Sequence, residues 1–218
     1  AVFPAPLADG DKLVGAGLDG YWEDVGTLPA YVRAHKDILD GRVQVGIPGF
    51  EVSDGVFIAE GAEVHPDAVV AGPAVVGDNC FVDAGARLGE YTVLGQGVRV
   101  RSGAELERTV VHENAYLGES VKLRGTVVGR AADLRRNARC EEGVVLGDEV
   151  FVGEDAVIST DVKVYPFKTV EGGAVVNTSL IWESRGARSL FGRGGVTGLA
   201  NVDITSELAA KVALAYAT

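Results

Sequence analysis

Methionine is absent from all 218 residues. A reading frame opens on one, so a chain beginning Ala1-Val2-Phe3-Pro4 reads as the interior of a longer protein, a fragment or excised segment. Aromatic residues are also scarce, at 7%, so the core must be built from the aliphatics that make the chain 47% apolar. No apolar run approaches the ~20 residues of a membrane-spanning helix, and no charged-then-apolar leader opens the chain. No membrane partner is expected. Basic residues are in deficit, giving a net charge of −11, which argues against nucleic acid as the main partner. Cysteine occurs twice, at Cys80 and Cys140, without zinc-type spacing. Both read as small buried hydrophobes in a reducing cytoplasm rather than as a disulfide, metal site or nucleophile.

What the chain has is a period of six. Aliphatic residues recur at Ile58, Val64, Val70, Val76, Val82, Leu88, Leu94, Val100 and Leu106, resume at Val111, Leu117 and Leu123, and resume again from Val128 to Val176. Neither a helix (3.6) nor an alternating strand (2) has this period, whereas a solenoid of short strands and corners does. A second position is small or β-branched: Ala62, Ala68, Ala74, Cys80, Ala86, Thr92, Val98, Ala104, Val110, Ala115, Val121 and Val127 among others. Glycine often follows the aliphatic residue, as at Gly77, Gly89, Gly95, Gly118, Gly129, Gly147 and Gly153, and is expected where the backbone turns unusually. Two five-residue steps, Leu106 to Val111 and Leu123 to Val128, should each tighten one corner. Pro166 and Lys168 break the pattern, so the last coils are expected to fray.

These hexads resemble the pattern of left-handed parallel β-helices, triangular prisms with three hexads per coil, which implies about seven coils here. The fold class is mainly β, a left-handed parallel β-helix over residues 46–177 flanked by short α/β segments.

Ahead of the hexads stands Tyr21-Trp22-Glu23-Asp24-Val25-Gly26-Thr27. It reads as a strand with aromatics, a glycine turn, then a helix capped by Thr27 with Pro29 in its first turn and Tyr31, Ala34 and Ile38 on one face. On chemistry alone Asp24 is either a solvated carboxylate or a metal ligand. The string resembles the closing segment of sugar nucleotidyltransferase domains, aromatic-Trp-x-Asp-[Ile/Val]-Gly-Thr-x-x-x-Tyr. That resemblance makes residues 1–45 the end of such a domain and implies that Asp24 helps hold Mg²⁺ against nucleotide and sugar phosphates.

Residues 178–188 read as a linker. Beyond them Phe191, Gly192, Gly195 and Gly198 resemble the opening of phosphohexomutases, placing the start of such a domain at 189–218, although Arg193, Gly194 and Thr197 depart from the pattern. A helix is expected from about Thr205, with Leu208, Val212 and Ala215 on one side.

Nucleotidyltransferase end, β-helix and mutase-like start together resemble the mannose-1-phosphate guanylyltransferase family. The resemblance implies GTP and mannose 1-phosphate as substrates, GDP-mannose and pyrophosphate as products, Mg²⁺ as cofactor and a cytoplasmic homo-oligomer. Glucose 1-phosphate with ATP or UTP stays open. The nucleotide loop of that family is not in this chain, whose own role is then a scaffold between modules. Two other readings remain: a hexapeptide acyltransferase with His112 as base, and a non-catalytic binding scaffold. Arg130, Arg135, Arg136 and Arg139 are either an anion-binding regulatory patch or a charge ladder across coils, in which an eighteen-residue repeat pairs Arg130 with Asp148 and Arg136 with Glu154.

Overall fold

A computed structural model describes residues 12, 14–17, 19–181, 185–186 and 206–216. Very short strands, most of two or three residues, wind into a left-handed parallel β-helix of seven turns with three flat faces. Each strand of the coils pairs in parallel with the strand one turn away, at a spacing of seventeen or eighteen residues that shortens to sixteen where Thr169 meets Arg185. An antiparallel strand, Phe50–Ser53, folds onto Val56–Ile58 at the edge of the first face. The aliphatic hexad residues stack inward as a dry column. On the second face, for example, Val82, Val100, Leu117, Leu134 and Val152 lie in register, each no more than 2% exposed. Two helices complete the described chain, α1 (Leu28–Leu39) and α2 (Ser206–Tyr216).

Local details differ from the sequence reading in four places. Val110 and Val127 are not the small inward residues of their coils. They pair with Val93 and Val145 and point outward, and Thr109 and Thr126, fully buried, take the inward positions. The five-residue step removes one residue from the corner, so the inward residue is always two before the aliphatic one. Each threonine can serve there because its hydroxyl donates to a backbone carbonyl, of Glu107 at 2.9 Å and of Arg124 at 3.1 Å.

Glycine after the aliphatic residue does not make the turn. Left-handed backbone falls two residues later, at Asn79, Tyr91, Asn114, Glu149 and Phe167 among others, while Gly147 and its equivalents serve close approach between coils. The coils do not fray at Pro166 either: Thr169–Val170 still pairs with Phe151–Val152, and Val175–Val176 with Val157–Ile158. Pro166 sits at a corner, where Gly147 beneath it leaves room for the ring. Residues 21–26 form no strand, having no strand partner within the described residues.

α1 follows its expected signals, with the Thr27 hydroxyl accepting from Ala30 N at 3.3 Å and proline in the first turn. α2 likewise begins one residue after Thr205. Phe191 to Gly198 lies outside the described residues.

The cysteines lie inward, as expected of small hydrophobes. Burial pushes the Cys140 thiol up to about 12. The folded thiol therefore keeps its proton where an unfolded one, near 9, loses it. Stability is full below pH ~9 and falls as pH rises toward ~12, because only the unfolded state then releases the proton. Iodoacetamide at pH 8.5 should leave Cys140 unmodified in the native protein and alkylate it after denaturation, as read by intact mass. Native alkylation at Cys140 would contradict the burial.

Candidate functional site

The outward side chains of the first face include a column of valines, Val75, Val93, Val110 and Val127. Three of the four, Val75, Val110 and Val127, are buried although they point away from the core. α1 lies against this face: Ile38 and Leu39 line a groove of about 340 Å³ with Val45, Ile47, Val75 and Val93. The Tyr31 hydroxyl is 3.0 Å from His112 Nε2, with the rings nearly parallel at 13°. Burial, and secondarily the Glu113 carboxylate, raise the Tyr31 phenol above its usual range. One nitrogen of His112 is thus engaged by a helix, which leaves the acyltransferase reading without a free Nε2 for a base.

Asp24 stands just ahead of α1. It is exposed, and its carboxylate folds back over Gly26, where an added Cβ would lie 3.2 Å from Asp24 Oδ1. Glu23 beside it is taken up by Arg33, at 2.9 Å. Among the described residues no three His, Cys, Asp or Glu side chains come together as a metal cage. A single free carboxylate still suits Mg²⁺, which commonly takes one or two protein oxygens and fills its shell with phosphate oxygens and water.

The four arginines do not form one patch. Arg130 grips Asp148 through its side chain at 2.6 Å and its backbone N–H at 2.8 Å. Those bonds hold the Asp148 carboxyl below its usual range and the Arg130 guanidinium above its own. Arg136 reaches Glu154 at 3.3 Å. Arg135 pairs with Asp133 at 2.7 Å and lies over the Tyr116 and Phe151 rings of the second face. Arg139 belongs to the third face, in a shallow groove of about 480 Å³ with Arg87, Lys122, Arg124 and intervening glutamates. The two eighteen-residue pairs are cross-coil ladder rungs, exposed to solvent and screened by it, so they add little to stability.

The coils from 81 to 181 fit a family model described as the GMPPB C-terminal domain. A mannose-1-phosphate guanylyltransferase of Mycobacterium tuberculosis is 38% identical over 109 residues, 49% of this chain and 30% of that protein. A glucose-1-phosphate adenylyltransferase of Desulfitobacterium hafniense is 29% identical over 181 residues, 72% of this chain and 42% of that protein. The chain thus spans less than half the length of these relatives. Among solved structures, a UDP-N-acetylglucosamine O-acyltransferase from Moraxella catarrhalis matches at 13% identity and TM-score 0.43, covering 58% of this chain and 65% of that one.

Sequence reasoning missed the Tyr31–His112 contact, which joins residues 81 apart, and the third-face groove. A signal for the groove did exist: Arg87, Glu105, Lys122 and Arg139 recur at steps of 17 or 18 and lie in register on adjacent strands. No comparable periodicity could reveal a helix docked on the solenoid.

Proposed function

We propose that this chain is the β-helical part of a sugar nucleotidyltransferase of the mannose-1-phosphate guanylyltransferase type. In that reaction the phosphate of a sugar 1-phosphate attacks the α-phosphorus of a nucleoside triphosphate, the bond to the β-phosphate breaks, and pyrophosphate leaves. The observation that carries the reading is the family match across coils 81–181, with the Tyr21-to-Tyr31 motif docked beside those coils. The guanylyl relative has the higher identity over a shorter span, which favours GTP and mannose 1-phosphate over ATP and glucose 1-phosphate.

Asp24 is the residue that would hold Mg²⁺, supplying one anionic oxygen from a well-solvated position. The bound ion would neutralise phosphate charge as the new bond forms. α1 keeps that carboxylate beside the β-helix, and the β-helix serves as a rigid platform with exposed faces for homo-oligomer contacts. A phosphohexomutase-like module beginning near residue 189 belongs to the same proposal. Among the described residues no helix is long and apolar enough to cross a membrane; a cytoplasmic location is part of the same proposal.

Pyrophosphate release decides the matter. The 218-residue chain should be silent with every nucleotide and sugar phosphate pair. The same chain, extended by the coding sequence upstream of Ala1, should release pyrophosphate with GTP and mannose 1-phosphate. Silence of the extended protein with GTP, ATP and UTP alike would favour the non-catalytic scaffold instead.

A further inference from the structure

α1 meets the β-helix through polar contacts at both of its ends. Toward its start, Tyr31 stacks on and hydrogen-bonds to His112. On the helix itself His35 packs edge-on against Tyr31, ring centres 4.4 Å apart, and steadies it. At its finish, the Tyr91 hydroxyl donates to Asp40 Oδ1 at 2.9 Å, and Lys36 Nζ lies 3.6 Å from the centre of the Tyr91 ring. Tyr91 directly precedes the strand Thr92–Leu94, and His112 directly follows the strand Val110–Val111; these two strands are paired neighbours on the first face.

Burying Ile38 and Leu39 over the valine column is favourable in many helix orientations, because apolar burial is non-directional. Hydrogen bonds are directional. One such contact would let the helix swivel about it; two, at opposite ends, fix its direction. The fixed helix in turn fixes its cap: Tyr31 N donates to the Thr27 carbonyl at 2.9 Å, and the Thr27 hydroxyl accepts from Ala30 N. Asp24, folded over Gly26 one step before that cap, is carried with it.

We propose that this two-point clasp, His112 on Tyr31 and Tyr91 on Asp40 and Lys36, is how the β-helix positions the Asp24 carboxylate. His112 and Tyr91 are then positioning residues for the transfer reaction, although both belong to the scaffold. The inference rests on the reading of Asp24 as metal ligand given above.

Two measurements test it together. In the 218-residue chain, His112→Ala and Tyr91→Phe should each speed hydrogen exchange of the α1 amides about fivefold, and the double variant about twentyfold, with the solenoid strands unchanged. His112→Gln, which can still bond the Tyr31 hydroxyl, should restore protection. In the N-terminally extended protein, His112→Ala should raise the Mg²⁺ concentration for half-maximal pyrophosphate release about fivefold, and His112→Gln should return it. Unchanged exchange overturns the clasp. Faster exchange with an unaltered Mg²⁺ requirement overturns the positioning role and leaves the nucleotidyltransferase reading standing. Faster exchange in an extended protein that never releases pyrophosphate overturns that reading and the positioning role with it.

Discussion

Replacing Gly147 with valine should lower the thermal midpoint by roughly 5–10 °C, from a loss of about 2–3 kcal/mol. A Cβ added at Gly147 would lie 2.5 Å from Pro166 N and 2.6 Å from Pro166 Cδ. One added at Gly129, a turn below, would lie 2.4 Å from the Gly147 carbonyl carbon. Gly147 thus stands in a stack where backbone meets backbone and a proline ring, and nothing nearby is a flexible side-chain tip that could move aside. Its φ is not in the left-handed range, so the cost is steric rather than conformational. In a solenoid each turn is stabilised mainly by its immediate neighbours, so wedging two turns apart should also broaden the transition. Gly46→Val is the control, since nothing lies within 4 Å of a Cβ at Gly46. Circular dichroism melts read both. Equal midpoints for Gly147→Val and the parent chain would mean the coils can spread at no cost, and the close-approach account would be wrong.

The same corner shows what sequence could and could not convey. Period six gave the interior column because inward residues see almost the same environment in every coil, so selection for size repeats with the geometry. Leu117 and Leu134 are predictable in that way, and both are fully buried. The role of glycine was not legible, since two reasons for glycine, a left-handed φ and a close approach, leave the same letter. Here left-handed corners are occupied by Asn79, Tyr91 and Phe167 as well as by glycine, while crowding selects Gly147. The phase error at Val110 has a similar origin: Thr109-Val110-Val111 offers two adjacent β-branched candidates for one inward slot, and only register with Val93 and Leu94 decides between them.

The charged surface was half legible. The pairs Arg130–Asp148 and Arg136–Glu154 follow from the repeat length and are present. Grouping Arg135 and Arg139 with them ignored that four residues along this chain cross a corner, which puts the two side chains on different faces. The docked helix was legible as a helix and not as a docked one. Its partners Tyr91 and His112 lie about fifty and eighty residues downstream, a separation at which a single sequence carries no pairing signal. What did hint at a cover on the first face was its outward valine column, since exposed columns elsewhere on the solenoid carry Arg99, Glu105 and Lys122.

Asp24→Asn should cut pyrophosphate release by the N-terminally extended protein roughly 10²–10³-fold, the loss of about 3–4 kcal/mol of transition-state stabilisation. The substitution keeps the shape and removes the charge, so an effect of that size reports on an anionic ligand rather than on folding. Folding should barely change: Asp24 is exposed and makes no hydrogen bond or ion pair with another described residue, and such surface positions are usually within ~0.5 kcal/mol. Higher Mg²⁺ should recover part of the rate, because a weakened site can be refilled by mass action while the phosphates still contribute oxygens. Glu23→Gln supplies the contrast. Its carboxylate is already held by Arg33, so its loss should cost less than about threefold. Activity in Asp24→Asn equal to that of the parent would make Asp24 an ordinary surface carboxylate. The clasp of Tyr31 and Tyr91 would then orient a helix for some purpose other than metal-assisted transfer.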